Sequence, residues 1–313
     1  MSDTTASLRR KISSAGDLQS VVRTMKALAA SSIGQYEKSV RALGDYYCTV
    51  ELGLGACVRQ NEPSAPMPKR KEKPDADPIA AIVFGSDQGL VGQFNDVVAD
   101  FAIKTLVALP GKPQVWAVGE RVRARVADAG LPIIGLYTVP NSVKAIAPLV
   151  GQIQIESEAH RTDGDYAQVY VFHNRPQSGS LYEPVSQRLL PLDAQWERGL
   201  AKIPWPTKNL PEVMGDGTAT LRALIREYLF ISLFRACAES LASENASRLA
   251  AMQRADKNID ELLEMLHGTF HRLRQSSIDD ELFDVISGYE ALEKTAAAGT
   301  RTGSGAIAKV HRA

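Results

Sequence analysis

Proline is absent from about residue 3 to about residue 57, and again from about residue 217 to about residue 292. No other feature limits the fold so strongly. In the first stretch apolar residues recur in steps of three and four: Leu8, Ile12, Ala15, Leu18, Val22, Met25, Ala29, Ile33, Tyr36, Val40, Leu43, Tyr47, Val50 and Leu54. That spacing puts them on one stripe of a helix. Gly16, Gly34 and Gly44 interrupt it, each costing about 1 kcal/mol relative to Ala, so the helix needs a packing partner. The second stretch is rich in Ala, Leu, Glu, Arg and Ser, with Leu221, Leu224, Tyr228, Ile231, Ile259, Leu262, Leu266, Phe270 and Leu273 at helical spacing. A helix of about 75 residues far exceeds the usual length of about 8–20 and would extend roughly 110 Å. Each long helix is the natural partner of the other.

Charge supports the pairing. Residues 7–41 hold seven Lys/Arg against Asp17 and Glu37, whereas residues 239–293 hold twelve Asp/Glu against five Lys/Arg. A basic and an acidic helix complement each other at the flanks of a coiled coil.

Between the helices the period changes. Residues 63–78 carry five prolines and the charge run Lys69-Arg70-Lys71-Glu72-Lys73, the composition of a solvated linker. Strands are expected at Ile79–Phe84, Gln114–Val118, Pro132–Tyr137 and Tyr166–Phe172, with Leu181–Leu190 as a hairpin partner of the last. Helices are expected at Phe94–Leu109, Glu120–Ala129 and Val143–Ala159. Such alternation implies parallel βαβ units. The predicted fold class is therefore α/β plus coiled coil: a long antiparallel two-helix coiled coil from both termini, with a Rossmann-like α/β domain between them. The expected boundaries are 1–58 for the N-terminal helix, 59–78 for a flexible linker and 79–212 for the α/β domain. The C-terminal helix takes 213–293, and 294–313 form a disordered basic tail.

Bulk composition narrows the function. Of 313 residues 44% are hydrophobic, enough for a core, while Lys plus Arg balances Asp plus Glu at 36 each. Net charge thus points to no nucleic-acid partner. Cys48, Cys57 and Cys237 lack CxxC spacing and read as reduced cytoplasmic thiols. The N-terminus lacks the apolar segment of a secretory signal, and no run is apolar enough to insert directly into a membrane.

The candidate chemistry is weak. Gly85-Ser86-Asp87-Gln88-Gly89-Leu90-Val91-Gly92 follows a strand and precedes a helix, where a phosphate loop would sit. It lacks both GxGxxG spacing and the Walker Lys-Ser/Thr, and reads as a tight turn built on Asp87, Gly89 and Gly92. His267 and His271 are spaced to share a metal, but Gly268 stands where the HExxH glutamate belongs. His173 ends a strand without a nucleophile motif beside it. No catalytic residue, cofactor or metal is expected.

Three segments carry a resemblance. Leu8-Arg9-Arg10-Lys11-Ile12-Ser13-Ser14, with Gln19 and Met25-Lys26-Ala27-Leu28-Ala29-Ala30-Ser31, is similar to the opening helix of the gamma subunits of F-type ATP synthases. Ser86-Asp87-Gln88-Gly89-Leu90-Val91-Gly92-Gln93-Phe94-Asn95 resembles that family's S-D-R-G-L-C-G-x-x-N turn. Glu239-Ser240-Leu241-Ala242-Ser243-Glu244-Asn245-Ala246-Ser247-Arg248-Leu249-Ala250-Ala251-Met252, continuing through Arg274-Gln275-Ser276-Ser277-Ile278, resembles its most specific stretch. Gln88 replaces an arginine and Asp279 a threonine, departures that suggest a divergent branch such as the alternate (N-type) enzymes. The resemblance implies a central rotor stalk that is itself non-catalytic. Its partners would be the alpha and beta subunits, an epsilon subunit and the membrane c-ring, and its place the cytoplasmic face of a bacterial inner membrane. It further implies that Met25 and Lys26 face an acidic lever of beta, that Arg274 and Gln275 hydrogen-bond a catch loop of beta, and that Asp279 alters a neighbouring contact. The alternatives are a coiled-coil adaptor carrying a non-catalytic α/β domain, or a nucleotide-binding enzyme using the Gly85–Gly92 turn.

Overall fold

The structure is a computed structural model describing residues 4–60, 78–162, 168–177, 182–192, 194–209, 211–213 and 217–302. The charged stretch 69–73 and the last part of the expected tail, 303–313, lie outside the described residues. The chain divides into two compact units, Met1–Arg23 with Ala255–Ala313, and Thr24–Arg254. Helices α1 (Thr5–Gln60) and α6 (Gly217–Thr302) each contribute to both.

The larger unit is built on five strands: β1 (Pro78–Phe84), β2 (Lys112–Val118), β3 (Ile133–Tyr137), β4 (Gln168–Pro176) and β5 (Tyr182–Leu190). Their order is β3-β2-β1-β4-β5. The first four are parallel and β5 runs antiparallel to β4. Helices α2 (Phe94–Ala108), α3 (Glu120–Asp128), α4 (Ile146–Thr162) and α5 (Ala194–Ala201) complete it. The segment read as a helix from Val143 starts instead with a 3-10 turn at Val143–Ala145. The short α5 was not expected from a segment closed by Pro204, Pro206 and Pro211.

β1 shows why the sheet is covered on both sides. Its residues are apolar without alternation, the mark of a strand buried on two faces. Ile79, Ala81 and Val83 pack with Val98, Ala99 and Leu106 of α2 and Val122 and Val126 of α3. Ala80, Ile82 and Phe84 join a second core with Ile146, Val150 and Ile153 of α4, Val50 and Leu54 of α1, and Ile231, Leu233 and Leu241 of α6. Within this unit the sheet, and not only the partner helix, thus buries the stripes of α1 and α6. From Ile231 to Ser243 the side chains of α6 are buried on nearly every side, polar ones included, with Arg235 exposed.

Along α1 the innermost positions fall every seventh residue: Leu8, Ala15, Val22, Ala29, Tyr36, Val50 and Cys57 are buried, and Leu43 partly so. Residues four further on, Ile12, Gln19, Lys26, Ile33, Val40, Tyr47 and Leu54, are half-buried or buried. This is a heptad repeat, which keeps one seam toward a partner. It corrects the expected stripe at Leu18, which is 54% exposed. Gln19 takes the inward place and its amide donates to the Asp260 carboxylate.

That bond belongs to the smaller unit. There Arg23 Nε donates to Asp256 at 3.2 Å and lies near Asp260 as well, while the Arg9 guanidinium sits 5.4 Å from the centre of the Phe270 ring. Rising numbers on α1 meet falling numbers on α6, so the helices are antiparallel. The basic and acidic helices pair as their compositions suggest. α6 continues to Thr302, past the end at 293 read from the sequence. Thr295-Ala296-Ala297-Ala298 follows that point, an alanine-rich run that favours helix.

Candidate coupling site on the C-terminal helix

In an open parallel sheet, ligands bind beyond the carboxyl ends of the strands where the strand order reverses. Here that point lies between β1 and β4, and the chain itself fills it. Gly85 N donates to Val118 O at 2.8 Å. Ser86 N donates to Asn95 Oδ1 at 2.9 Å, and Asn95 Nδ2 donates back to Ser86 Oγ at 2.8 Å. On the β4 side Asn174 Nδ2 donates to Phe94 O at 2.9 Å, tying the end of β4 to the start of α2.

α6 closes this arrangement with three residues four apart. Residues at i, i+4 and i+8 share a helix face, and here that face carries Glu239, Ser243 and Ser247. Ser243 Oγ donates to Asn174 O at 3.0 Å. Ser247 Oγ donates to Val91 O. Glu239, 4% exposed, accepts from Arg235 Nε at 2.7 Å, Arg175 Nε at 3.3 Å and His173 Nε2 at 2.8 Å. Burial pushes the Glu239 carboxyl upward, but the His173 and Arg235 contacts outweigh it and hold it down at about 2. Burial lowers His173 below its ordinary value against the opposing pull of Glu239. The carboxylate is thus ionised and the imidazole neutral, with Nε2 carrying the proton. One turn on, the buried Glu244 is clasped by Arg248 at 2.6 Å. Hydrogen bonds to charged partners are worth about 1.5–3 kcal/mol each and are directional, so this face fixes both the register and the rotation of α6 on the sheet.

Asp87 holds the turn. Its Oδ1 accepts from Glu120 N, the first residue of α3, at 3.0 Å, and its Oδ2 from Val139 N at 2.8 Å. A carboxylate at a helix N-terminus occupies the place a bound phosphate would take, so the geometry suits a structural turn. Gly92 adopts φ +57°, and Gly119 adopts φ +112° with Ser86 backbone atoms 2.8 Å from where a Cβ would lie. Only glycine fits position 119 without strain. Gly89 is half-buried, with Arg121 Nη2 3.7 Å from where its Cβ would lie. Replacing Asp87 by Ala removes both charged hydrogen bonds. It should lower stability by about 2–4 kcal/mol, read as an earlier urea midpoint with an unchanged slope.

The other predicted positions separate by unit. Met25 and Lys26 are half-buried on α1 in the larger unit, and Lys26 has a partner within the chain. Arg274, Gln275 and Asp279 are exposed on α6 in the smaller unit. His267 and His271 are exposed too, and among the described residues no group of acidic, histidine or cysteine side chains is arranged to hold a metal. His173 is not a free acid/base but a buried partner of Glu239. The polar face of α6 escaped the sequence reading. Its signal was the four-residue spacing of Glu239, Ser243 and Ser247 inside an otherwise apolar run.

The sequence profile of the ATP synthase family matches residues 4–292. The chain belongs to the ATP synthase gamma family. The ATP synthase gamma chain of Cyanothece sp. (strain PCC 7425 / ATCC 29141) is 29% identical over 92% of this chain and 98% of that relative. The gamma chain of Cupriavidus necator is 25% identical over 92% and 99%. Among solved structures, a chain of the Euglena gracilis mitochondrial ATP synthase, determined by cryo-EM as OSCP/F1/c-ring in rotational state 3, shares the fold. Its TM-score is 0.63 at 16% identity, covering 99% of both chains. As a member of the gamma family, the chain is a non-catalytic, peripheral subunit of ATP synthase. Neither the adaptor nor the nucleotide-binding enzyme accounts for a match along nearly the whole length. Among the described residues no helix is long and apolar enough to cross a membrane.

Proposed function

We propose that this gamma chain is the central rotor of an F-type ATP synthase on the cytoplasmic face of a bacterial inner membrane. It couples H⁺ or Na⁺ flow through the c-ring to ATP synthesis or hydrolysis at the alpha3-beta3 sites. The observation that carries the reading is the exposed apolar stretch of α6 at 278–289. Ile278, Leu282, Phe283, Val285, Ile286 and Tyr289 are between 46% and 69% exposed. So many large apolar side chains on one short stretch mark a surface that another protein covers. An apolar, weakly hydrogen-bonding surface suits a shaft that turns inside a sleeve, since it forms few directional contacts to break at each step.

The other roles follow from position. Arg274, Gln275 and Asp279, exposed on α6, contact the beta subunits, as do Met25 and Lys26 on α1. The α/β unit meets the epsilon subunit and the c-ring. Torque entering that unit reaches α6 through Glu239, Ser243 and Ser247, whose directional bonds resist rotation of the helix against the sheet.

A cysteine at Ile286 tests the sleeve. In the isolated chain with Cys48, the exposed native thiol, replaced by Ser, Ile286→Cys is expected to react with a soluble maleimide at the rate of an exposed thiol. After assembly with alpha and beta subunits the rate should fall at least tenfold. Equal rates in the free and assembled states would place this end of α6 outside the hexamer and end the rotor reading.

A further inference from the structure

Beside Glu239, within the larger unit, a polar cavity of about 110 Å³ opens between α1, β4, β5 and α6. Its walls include Arg175, Arg235, Gln187, Ser232, His173 and Glu239. A space of that size has room for more than one water, or for one small polyatomic ion. Two of the lining groups are buried and without a hydrogen-bond partner among the described residues, Ser232 Oγ and His173 Nδ1. Ser232 is 3% exposed and His173 2%. Buried polar groups left unsatisfied are rare, because each forfeits the hydrogen bond that would offset its desolvation.

The donors and acceptors define what would satisfy them. Arg175 and Arg235 line the cavity and each direct Nε at the Glu239 carboxylate, their side chains being about half exposed. Ser232 offers a hydroxyl and Gln187 an amide. Two guanidiniums against one carboxylate leave the lining with a net positive charge. Burial raises the nearby Glu51 carboxyl above its ordinary value, while Tyr47 and Arg235 pull it back down; it lies outside the lining itself. His173 contributes something different. Its Nε2 proton is given to Glu239, so Nδ1 is a lone-pair acceptor and needs a donor opposite it. A bare cation is repelled by the arginines, and an apolar ligand would satisfy none of these groups. A fully deprotonated anion would leave Nδ1 unpaired.

We infer that this cavity is a binding site for a small protonated oxyanion of the hydrogen-phosphate class. Its oxygens accept from Arg175, Arg235, Ser232 and Gln187, and its P–OH donates to His173 Nδ1. Such a ligand bridges strands β4 and β5 to α6 at the foot of the Glu239–Ser243–Ser247 face. Its occupancy therefore stiffens the attachment of the C-terminal helix to the sheet. The assignment rests on the geometry of this unit alone and stands whether or not the rotor reading does.

The test is a titration of the full chain with inorganic phosphate at constant ionic strength, chloride being the balancing ion. Binding is followed by the NMR signal of the His173 ring. A saturable shift is expected with phosphate, at least fivefold weaker with sulfate, which has no proton to give Nδ1 near neutral pH. In Ser232→Ala the affinity should drop several-fold and in Arg235→Gln at least tenfold. Should Arg235→Gln fail to fold, Ser232→Ala decides, since it leaves every Glu239 bond in place. Three results would each overturn the proposal: no shift beyond that of chloride up to 50 mM (about the weakest useful affinity), a shift unchanged by Ser232→Ala, or sulfate or acetate binding as tightly as phosphate.

Discussion

Replacing Glu239 by Gln is expected to destabilise the larger unit by about 3–5 kcal/mol, the usual result of removing one partner from a buried ion pair. The carboxylate receives two guanidiniums and an imidazole N–H. An amide of the same shape keeps one acceptor and puts an N–H where a donor already points. Trp116, Trp196 and Trp205 all lie in this unit, so urea unfolding followed by tryptophan fluorescence reports on it directly. A loss below 1 kcal/mol would mean that solvent already screens the cluster, and the coupling role given to this face would fall with it.

The same cluster sets a pH dependence. Glu239 titrates at about 2 in the fold, against an ordinary value of 4.5. Its contribution is therefore complete above pH 4.5 and fades as pH falls toward 2. His173 has a folded value below its ordinary 6.5. Between those two values the unfolded chain holds a proton that the folded chain does not, and stability falls as pH drops below 6.5. Both effects act in the same direction. Glu244 and Glu51, both raised by burial, act in the opposite direction, so the check is the difference in midpoint between wild type and Glu239→Gln, which should shrink as pH falls from 4.5 toward 2.

The sequence made the long helices and the alternating α/β unit legible because each depends on a local signal. Missing prolines, apolar steps of three and four, and short β-branched runs bounded by Gly are properties of neighbouring residues. What stayed hidden depends on contacts far apart in the chain. Glu239 is 64 residues from Arg175, and Ser247 is 156 from Val91. A serine at a buried position carries no mark of which backbone carbonyl it will meet. Leu18 was misplaced for a related reason. Counting only apolar residues puts it on the stripe, whereas the heptad from Leu8 to Cys57 hands the inward place to Gln19, which is tolerable there only because Asp260 accepts from it. The exposed end of α6 could be read as apolar from sequence. That its large apolar side chains at 278–289 are exposed became visible only in the structure.

The heptad makes a sharper prediction than burial alone, because it assigns opposite fates to two adjacent valines. Val22 is 6% exposed and Val21 55%. In Val22→Asp a carboxylate replaces a buried apolar side chain in the seam of the smaller unit. Burying an unpaired charge is far costlier than losing the valine methyls, so local stability should fall by about 3 kcal/mol or more. At about 1.4 kcal/mol per tenfold, amide exchange around the substitution should speed up roughly a hundredfold. The acceleration must extend to α6 from residue 255 to about 273, since neither helix of this unit buries its stripe without the other. Val21→Asp faces water and should change exchange on either helix by less than about threefold. Measured side by side, the two variants isolate the register. Equal effects at 21 and 22 would show that the seam does not run through Leu8, Ala15 and Val22. Faster exchange on α1 with α6 unchanged would show that α6 is held by something other than its antiparallel neighbour.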